Sequence, residues 1–319
     1  MDILIVKLGA LGDVVNTLPL AISLKKHFDA RIHWITEPLS FPLLARHSHV
    51  DRVILFDRSH WMKSLPEVMG EIRGQRFDLA LDLQRLVKSS VLCMAASAGR
   101  RIGFDALRCK EMTWIMPFER IAPADPGNHM VTQYLDFARH LGIEPGDPQW
   151  NIPAGDAPPR SLPQDYAVLN IGATKPANRW SAQGFSLLAR LIMERYSIRC
   201  VLTGGRQDMQ TAAQVMALAE VPVVNLVGRT TIPQLISVLS GARAVVSCDT
   251  GPMHLAVALG REVVALFGPA DPRRTGPYRG QVVRASLPCA PCNRKTCGNP
   301  VCMEAITPED VLEKIGRAF

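Results

Sequence analysis

Short apolar runs alternate along the chain with segments whose apolar residues recur every three or four positions. That alternation predicts strands and helices in turn. Residues 3–8 read as a buried strand, Gly9-Ala10-Leu11-Gly12-Asp13 follows it, and an apolar-periodic helix extends to residue 28. Positions 31–36, 53–56 and 79–83 read as further strands with helical segments between them, and 129–141 as a helix ended by Gly142. This rhythm is the mark of a parallel sheet covered on both faces.

The rhythm stops between residues 147 and 164, a stretch rich in Pro, Gly and Asp that contains Pro153, Pro158, Pro159 and Pro163. Proline fixes φ and removes a backbone donor, so the segment reads as an interdomain linker. Strands then follow at 166–172, 200–203, 223–227, 244–247 and 263–267. Helices follow at 182–196 (capped by Ser181), 207–219, 232–240 and 254–259, and an amphipathic helix closes the chain at 308–318. No repeat of solenoid or propeller period is present. The expected architecture is α/β: two doubly wound, Rossmann-like domains facing a cleft, over 1–150 and 165–305, with a C-terminal helix over 306–319. Ligands of such sheets bind beyond the carboxyl ends of the strands, so the loops that leave each strand carry the chemistry.

Composition narrows the class. The 319 residues suit two domains, at roughly 150 residues each. Hydrophobic residues at 47% and charged ones at 20% are an ordinary globular balance. The net charge of +7 is not gathered into a Lys/Arg run. It fits a basic protein without a special partner, or attraction to phosphate-rich substrates or an anionic membrane surface. The first residues lack the basic, apolar and small-residue regions of a signal peptide. No apolar run reaches the roughly 18 residues that span a bilayer. The expected location is therefore cytoplasmic, where the eight cysteines are thiols or metal ligands rather than disulfides.

Five loops stand out. In the first, Gly9 and Gly12 permit a sharp turn and close approach to a ligand, without the spacing of a dinucleotide fingerprint. Asp13 begins the helix there, as an N-cap or as a reactive acid. In the second, a buried strand delivers Asp249, Thr250 and Gly251 to a helix that carries Pro252 and His254. Asp249 and Thr250 either cap that helix or, with its free amides and dipole, hold a phosphate. The third, Gly204-Gly205-Arg206-Gln207-Asp208, places Asp208 to accept from ribose hydroxyls or to serve as a first-turn acid. The fourth carries Thr174, Lys175 and Arg179, which could neutralise a diphosphate or be solvated loop charges. The fifth holds Cys289, Cys292, Cys297 and Cys302 within fourteen residues. Tetrahedral zinc is the sharp reading, although the spacing is tighter than in two-knuckle sites, and free thiols are the plain one. No D-x-D pair, P-loop or G-x-S-x-G elbow is present. That argues against a metal between protein and diphosphate, a P-loop nucleotidase and an α/β-hydrolase.

Together these loops resemble glycosyltransferase family 9, which includes the ADP-heptose:lipopolysaccharide heptosyltransferases. The resemblance runs through Lys7, Gly12-Asp13-Val14-Val15, Thr17-Leu18-Pro19, Asp82-Leu83-Gln84, Arg101-Ile102-Gly103-Phe104, Arg179-Trp180-Ser181, Asp249 to Ala256 and Gly268-Pro269-Ala270-Asp271-Pro272. It spans nearly the whole chain in the family's order, the cysteine-rich tail included.

The resemblance implies a GT-B fold, with acceptor on the N-terminal domain and nucleotide sugar on the C-terminal one. It implies inverting transfer (EC 2.4 class) from ADP-heptose to a lipid A-core acceptor, with no cofactor required beyond a candidate structural zinc. Contact with the cytoplasmic face of the inner membrane is expected, and nucleic acid is not an expected partner. Asp13 matches the family's proposed general base and Asp249 a holder of the donor sugar's hydroxyls. Thr250 and Gly251 match the phosphate turn, His254 the histidine after it, and Asp208 a ribose-binding acid. Two departures are visible. Gly9 and Ala10 stand where some heptosyltransferases have serines, and Asn178 stands where they have a phosphate-binding lysine. The competing readings are a GT-B transferase or epimerase acting on another nucleotide sugar, and a zinc-ribbon module that binds nucleic acid.

Overall fold

The computed structural model describes residues 1–319 as two compact units that meet in sequence at Pro153 and Ala154. No helix or strand lies between His140 and Tyr166, where proline and glycine interrupt the backbone ladder.

In chain order the N-terminal unit holds β1 (Asp2–Val6), α1 (Leu11–Phe28), β2 (Arg31–Thr36), α2 (Phe41–Leu44), β3 (Arg52–Leu55), α3 (Trp61–Arg73), β4 (Arg76–Asp82), α4 (Val87–Ala95), β5 (Ser97–Gly103), β6 (Glu119–Arg120) and α5 (Met130–His140). Its six strands are all parallel, in the order β3-β2-β1-β4-β5-β6. On one sheet face, Val68 and Ile72 of α3 and Leu92 and Cys93 of α4 pack on Leu4, Val6, Phe77 and Ala80. The strand interiors are apolar on both faces, as a two-side-covered parallel sheet requires. β5 escapes the hydrophobic pattern because it begins Ser-Ala-Gly-Arg-Arg and is mostly exposed over those residues.

The C-terminal unit holds β7 (Tyr166–Asn170), α6 (Ala182–Tyr196), β8 (Arg199–Thr203), α7 (Met209–Leu218), β9 (Val223–Asn225), α8 (Ile232–Ser240), β10 (Ala244–Cys248), α9 (Gly251–Ala258), β11 (Glu262–Leu266), α10 (Pro272–Thr275), β12 (Gln281–Val283), α11 (Val301–Glu304) and α12 (Pro308–Ile315). Its parallel order is β12-β11-β10-β7-β8-β9. That is the N-terminal order read from the opposite edge, the first strand of each unit again lying beside the fourth. Ser181 caps α6 through a bond from the Gly184 amide, as its position before the helix predicts. α12 seals the core with Val311, Leu312 and Ile315.

In a doubly wound sheet the loops that follow the two central strands diverge to opposite faces and open a crevice at the carboxyl edge. Here those strands are β1 and β4 in one unit, β7 and β10 in the other. The first two singled-out loops leave β1 and β10.

Candidate active site

In the N-terminal unit Asp13 is the third residue of α1, not its cap. The cap position is Ala10, with no side-chain bond, and the Val14 amide donates to the Ala10 carbonyl. Neither Gly9 nor Gly12 takes a positive φ, so the turn does not draw on glycine's left-handed freedom. A Cβ on Gly9 would meet Glu37 Oε2 at 3.5 Å, ordinary contact. The loop thus has room for a small side chain.

The Asp13 side chain is 41% exposed, and its Oδ2 lies 3.2 Å from Lys7 Nζ, which is 1% exposed. Lys7 also donates to the Leu83 carbonyl at 3.3 Å, across the gap between the two central strands. Its Nζ stands 5.1 Å from the Tyr134 ring centre. The Lys7 carbonyl accepts from Trp34 Nε1 at 3.1 Å, which pins the end of the first strand. Burial disfavours the Lys7 charge, but the Asp13 carboxylate and Tyr134 outweigh it, and the pKa lies above the ordinary lysine value. Tyr134 is pushed up by burial first and by the Asp13 charge second.

The loop after β4 supplies the other wall. Asp82 accepts from the hydroxyls of Ser90 at 2.6 Å and Ser89 at 2.8 Å, and burial raises its pKa against those bonds. Arg85 adopts φ of 66°, uncommon for a residue with a Cβ. It is 8% exposed. Its guanidinium stacks over Phe104 at 4.9 Å and donates to the Arg108 carbonyl. Its Nε has no hydrogen-bond partner. Arg108, also buried, is by contrast paired with Asp105 and Asp136. Sequence reasoning missed Lys7, Arg85 and Tyr134 as site residues. A lysine ending an apolar strand was the available signal.

In the C-terminal unit the crevice between β7 and β10 brings together the Asp249–Gly251 turn and the loop 171–180. Asn170, 1% exposed, is the hub beneath it. Its Nδ2 donates to Ser247 Oγ at 2.9 Å and Thr250 Oγ1 at 3.0 Å, and its Oδ1 accepts from Thr203 Oγ1 at 3.2 Å. The Thr250 hydroxyl is therefore held inward. It makes no cap to α9, although Thr250 is the N-cap residue, and Pro252 takes the second helical position. The main-chain amides at the start of α9 therefore receive no bond from the Thr250 side chain. Asp249 Oδ2 accepts from Asn178 Nδ2 at 3.3 Å. Asn178 is 2% exposed and its Oδ1 has no partner. His254 follows on α9, also buried.

The neighbouring loop carries Thr174 and Arg179 exposed and Lys175 half-buried. Arg179 Nη2 lies 3.9 Å from Asp208 Oδ1. Asp208 is buried, and its Oδ2 accepts from the Gly205 amide at 2.9 Å and from Gln207. A Cβ on Gly172 would stand 2.7 Å from that oxygen, so glycine is required for Asp208 to seat. Sequence reasoning gave Asn170 no role, because its partners come from two other strands and the turn after β10.

The cysteine tail lies beside the same loop, the Ala177 amide donating to the Lys295 carbonyl at 3.2 Å. Cys289, Cys292 and Cys297 are exposed and Cys302 is buried. No three His, Cys, Asp or Glu side chains gather to hold a metal ion. Burial first, and the neighbouring Cys289 and Cys292 after it, push the Cys302 thiol up. The geometry as it stands does not form the tetrahedral cage expected from the spacing.

Two doubly wound domains, each with polar residues at its strand-order switch point, define the GT-B class of transferase fold. Residues 67–302 match the family model of glycosyltransferase family 9 (heptosyltransferase). The chain is 31% identical over 318 residues to lipopolysaccharide heptosyltransferase 1 of Pseudomonas aeruginosa, covering 93% of this chain and 87% of that one. It is 24% identical over 284 residues to lipopolysaccharide core heptosyltransferase OpsX of Haemophilus influenzae, covering 86% and 81%. The structure of the Escherichia coli heptosyltransferase WaaC with ADP superposes with a TM-score of 0.79 at 25% identity, covering 100% of both chains. The complex of the same enzyme with ADP-2-deoxy-2-fluoro heptose gives 0.76 at 25% identity, again over 100% of both. The chain belongs to glycosyltransferase family 9. No helix is long and apolar enough to cross a membrane.

Proposed function

We propose that the chain transfers a heptose from ADP-heptose to the lipopolysaccharide inner core with inversion at the anomeric carbon. The observation that carries this reading is the full-length likeness to WaaC holding an ADP-heptose analogue. The acceptor binds the N-terminal domain and the nucleotide sugar the C-terminal one.

In the reaction an acceptor oxygen forms a bond to C1 of the donor sugar. The bond from C1 to the diphosphate oxygen breaks, and the electron pair leaves with ADP. Asp13 takes the acceptor's hydroxyl proton. This role is supported by a half-exposed carboxylate at the β1–β4 switch point, held by a buried cation. The amides at the start of α9 face the departing diphosphate, with Lys175 and Arg179 adding positive charge. Asp249 holds donor sugar hydroxyls, His254 supports the turn, and Asp208 shapes the ribose side of the site. Asn178 takes the place of a lysine in the family pattern, so those two loop cations carry the charge it lacks.

No cofactor enters this chemistry. A structural zinc on Cys289, Cys292, Cys297 and Cys302 would require the tail to close around it. Metal analysis of purified protein tests this: about one zinc per chain, lost in Cys292→Ser, supports it, and metal-free protein with four reactive thiols rejects it. The enzyme works at the cytoplasmic face of the inner membrane, where a lipid-anchored acceptor is presented. Mass spectrometry of lipopolysaccharide from a strain lacking the chain tests the function as a whole. A core truncated at a heptose supports it, and an unchanged core rejects it.

A further inference from the structure

We propose that Lys7 is a positioning residue which, from its buried place at the end of the first strand, anchors the Asp13 carboxylate and favours its ionised form. This deepens the reading of Asp13 as the base and rests on it.

The geometry is specific. Lys7 is 1% exposed, and its ammonium contacts one carboxylate oxygen, one backbone carbonyl and the face of one tyrosine. A buried ammonium that lost its carboxylate would stand uncompensated, so the pair is held together by the cost of separating it. The contact falls on Oδ2 of Asp13. With Trp34 pinning the Lys7 carbonyl and Leu83 accepting from its Nζ, the cation has little room to move. It therefore acts as a fixed post against which the carboxylate is set.

The groups around the pair act in both senses, Arg85 opposing the Lys7 charge and Tyr134 favouring it. Facing the pair are Tyr134 from α5, whose buried hydroxyl has no hydrogen-bond partner, and Arg85 from the loop after β4. Asp82, at the end of β4, is turned to Ser89 and Ser90, and Glu37 beyond Gly9 is paired with Lys88 at 3.3 Å. Lys7 is a buried cation in direct contact with Asp13. An adjacent cation favours the carboxylate form, so Asp13 stays a competent base to lower pH than a solvated aspartate would.

Lys7→Met tests this, since methionine replaces the ammonium stem with an apolar chain of similar length. The primary readout is the titration midpoint of the Asp13 carboxyl by carbon NMR, assigned by its loss in Asp13→Asn. The expected wild-type midpoint is below the ordinary aspartate value of about 3.9. In Lys7→Met it should rise by at least about one pH unit, a tenfold change in proton affinity. The acid limb of kcat/KM should move up with it, while Lys7→Arg keeps the low midpoint. A residue that merely fills the core would lower activity equally at every pH and leave the limb in place, and that result overturns the proposal. Should Lys7→Met not fold, a wild-type Asp13 midpoint at or above the ordinary value overturns it as well. The base assignment fails separately: normal turnover in Asp13→Asn removes that role without moving the wild-type midpoint.

Discussion

Asp13 is a single carboxylate with two readings in the sequence, helix cap or base, and its position in the helix separates them. It stands at the third position of α1, and the cap residue is Ala10. Its remaining local benefit is that of an acid in a first turn, about 0.3–1 kcal/mol. Asp13→Asn should therefore change the melting temperature little while turnover falls by roughly 10²–10⁴. Donor affinity should hold, because the ADP-sugar is assigned to the other domain. Steady-state kinetics with calorimetry of ADP binding check both halves, and near-normal turnover would send the search for a base elsewhere. Asp13 and Asp249 were legible as residues because each follows a buried strand at the start of a helix. Lys7 and Arg85 were not. Their meaning depends on Leu83 and Phe104, more than 15 residues away in sequence, and on a sheet order that no local pattern encodes.

At the scale of elements, α9 shows how far a loop motif can be read. The sequence predicts an anion site from Asp249, Thr250, Gly251 and Pro252. The structure keeps the turn but directs the Thr250 hydroxyl into the protein, onto Asn170 and Ser247. Asn170 is joined in turn to Thr203, so β7, β8 and β10 share one buried polar network. Removing the hub leaves buried partners unsatisfied, at about 1–3 kcal/mol each. Asn170→Ala should consequently lower stability and weaken ADP binding together, because Asn170 holds the Thr250 hydroxyl from beneath the turn. Thermal melting and ADP calorimetry on the same preparation check this. Lowered stability with unchanged ADP affinity would show that the network supports the sheet and not the turn. Most helix starts were legible, α6 and α8 beginning at Ala182 and Ile232 as the pattern predicts, and α9 is the exception. α9 begins at Gly251 rather than 254, because proline is tolerated in a first turn where its missing N–H has no partner to lose.

At the scale of the whole molecule, the two units share one strand order without sharing sequence motifs. The alternation of apolar runs and helical periods predicted two doubly wound sheets. Their order places the Asp13 loop and the Asp249 turn at the two switch points, where such folds receive ligands. The tail resisted this reading, since Pro, Asn, Gly and Cys impose no period, and no three ligating side chains gather there to hold a metal ion. The central claim is heptose transfer from ADP-heptose. Its most direct test supplies the purified chain with lipopolysaccharide acceptor lacking core heptose, and with ADP-heptose or UDP-sugars as donor, and follows acceptor mass. The account predicts addition of one heptose from ADP-heptose, none from UDP-sugars, and loss of the product in Asp13→Asn. Transfer from a UDP-sugar, or release of free heptose without a gain in acceptor mass, would contradict it.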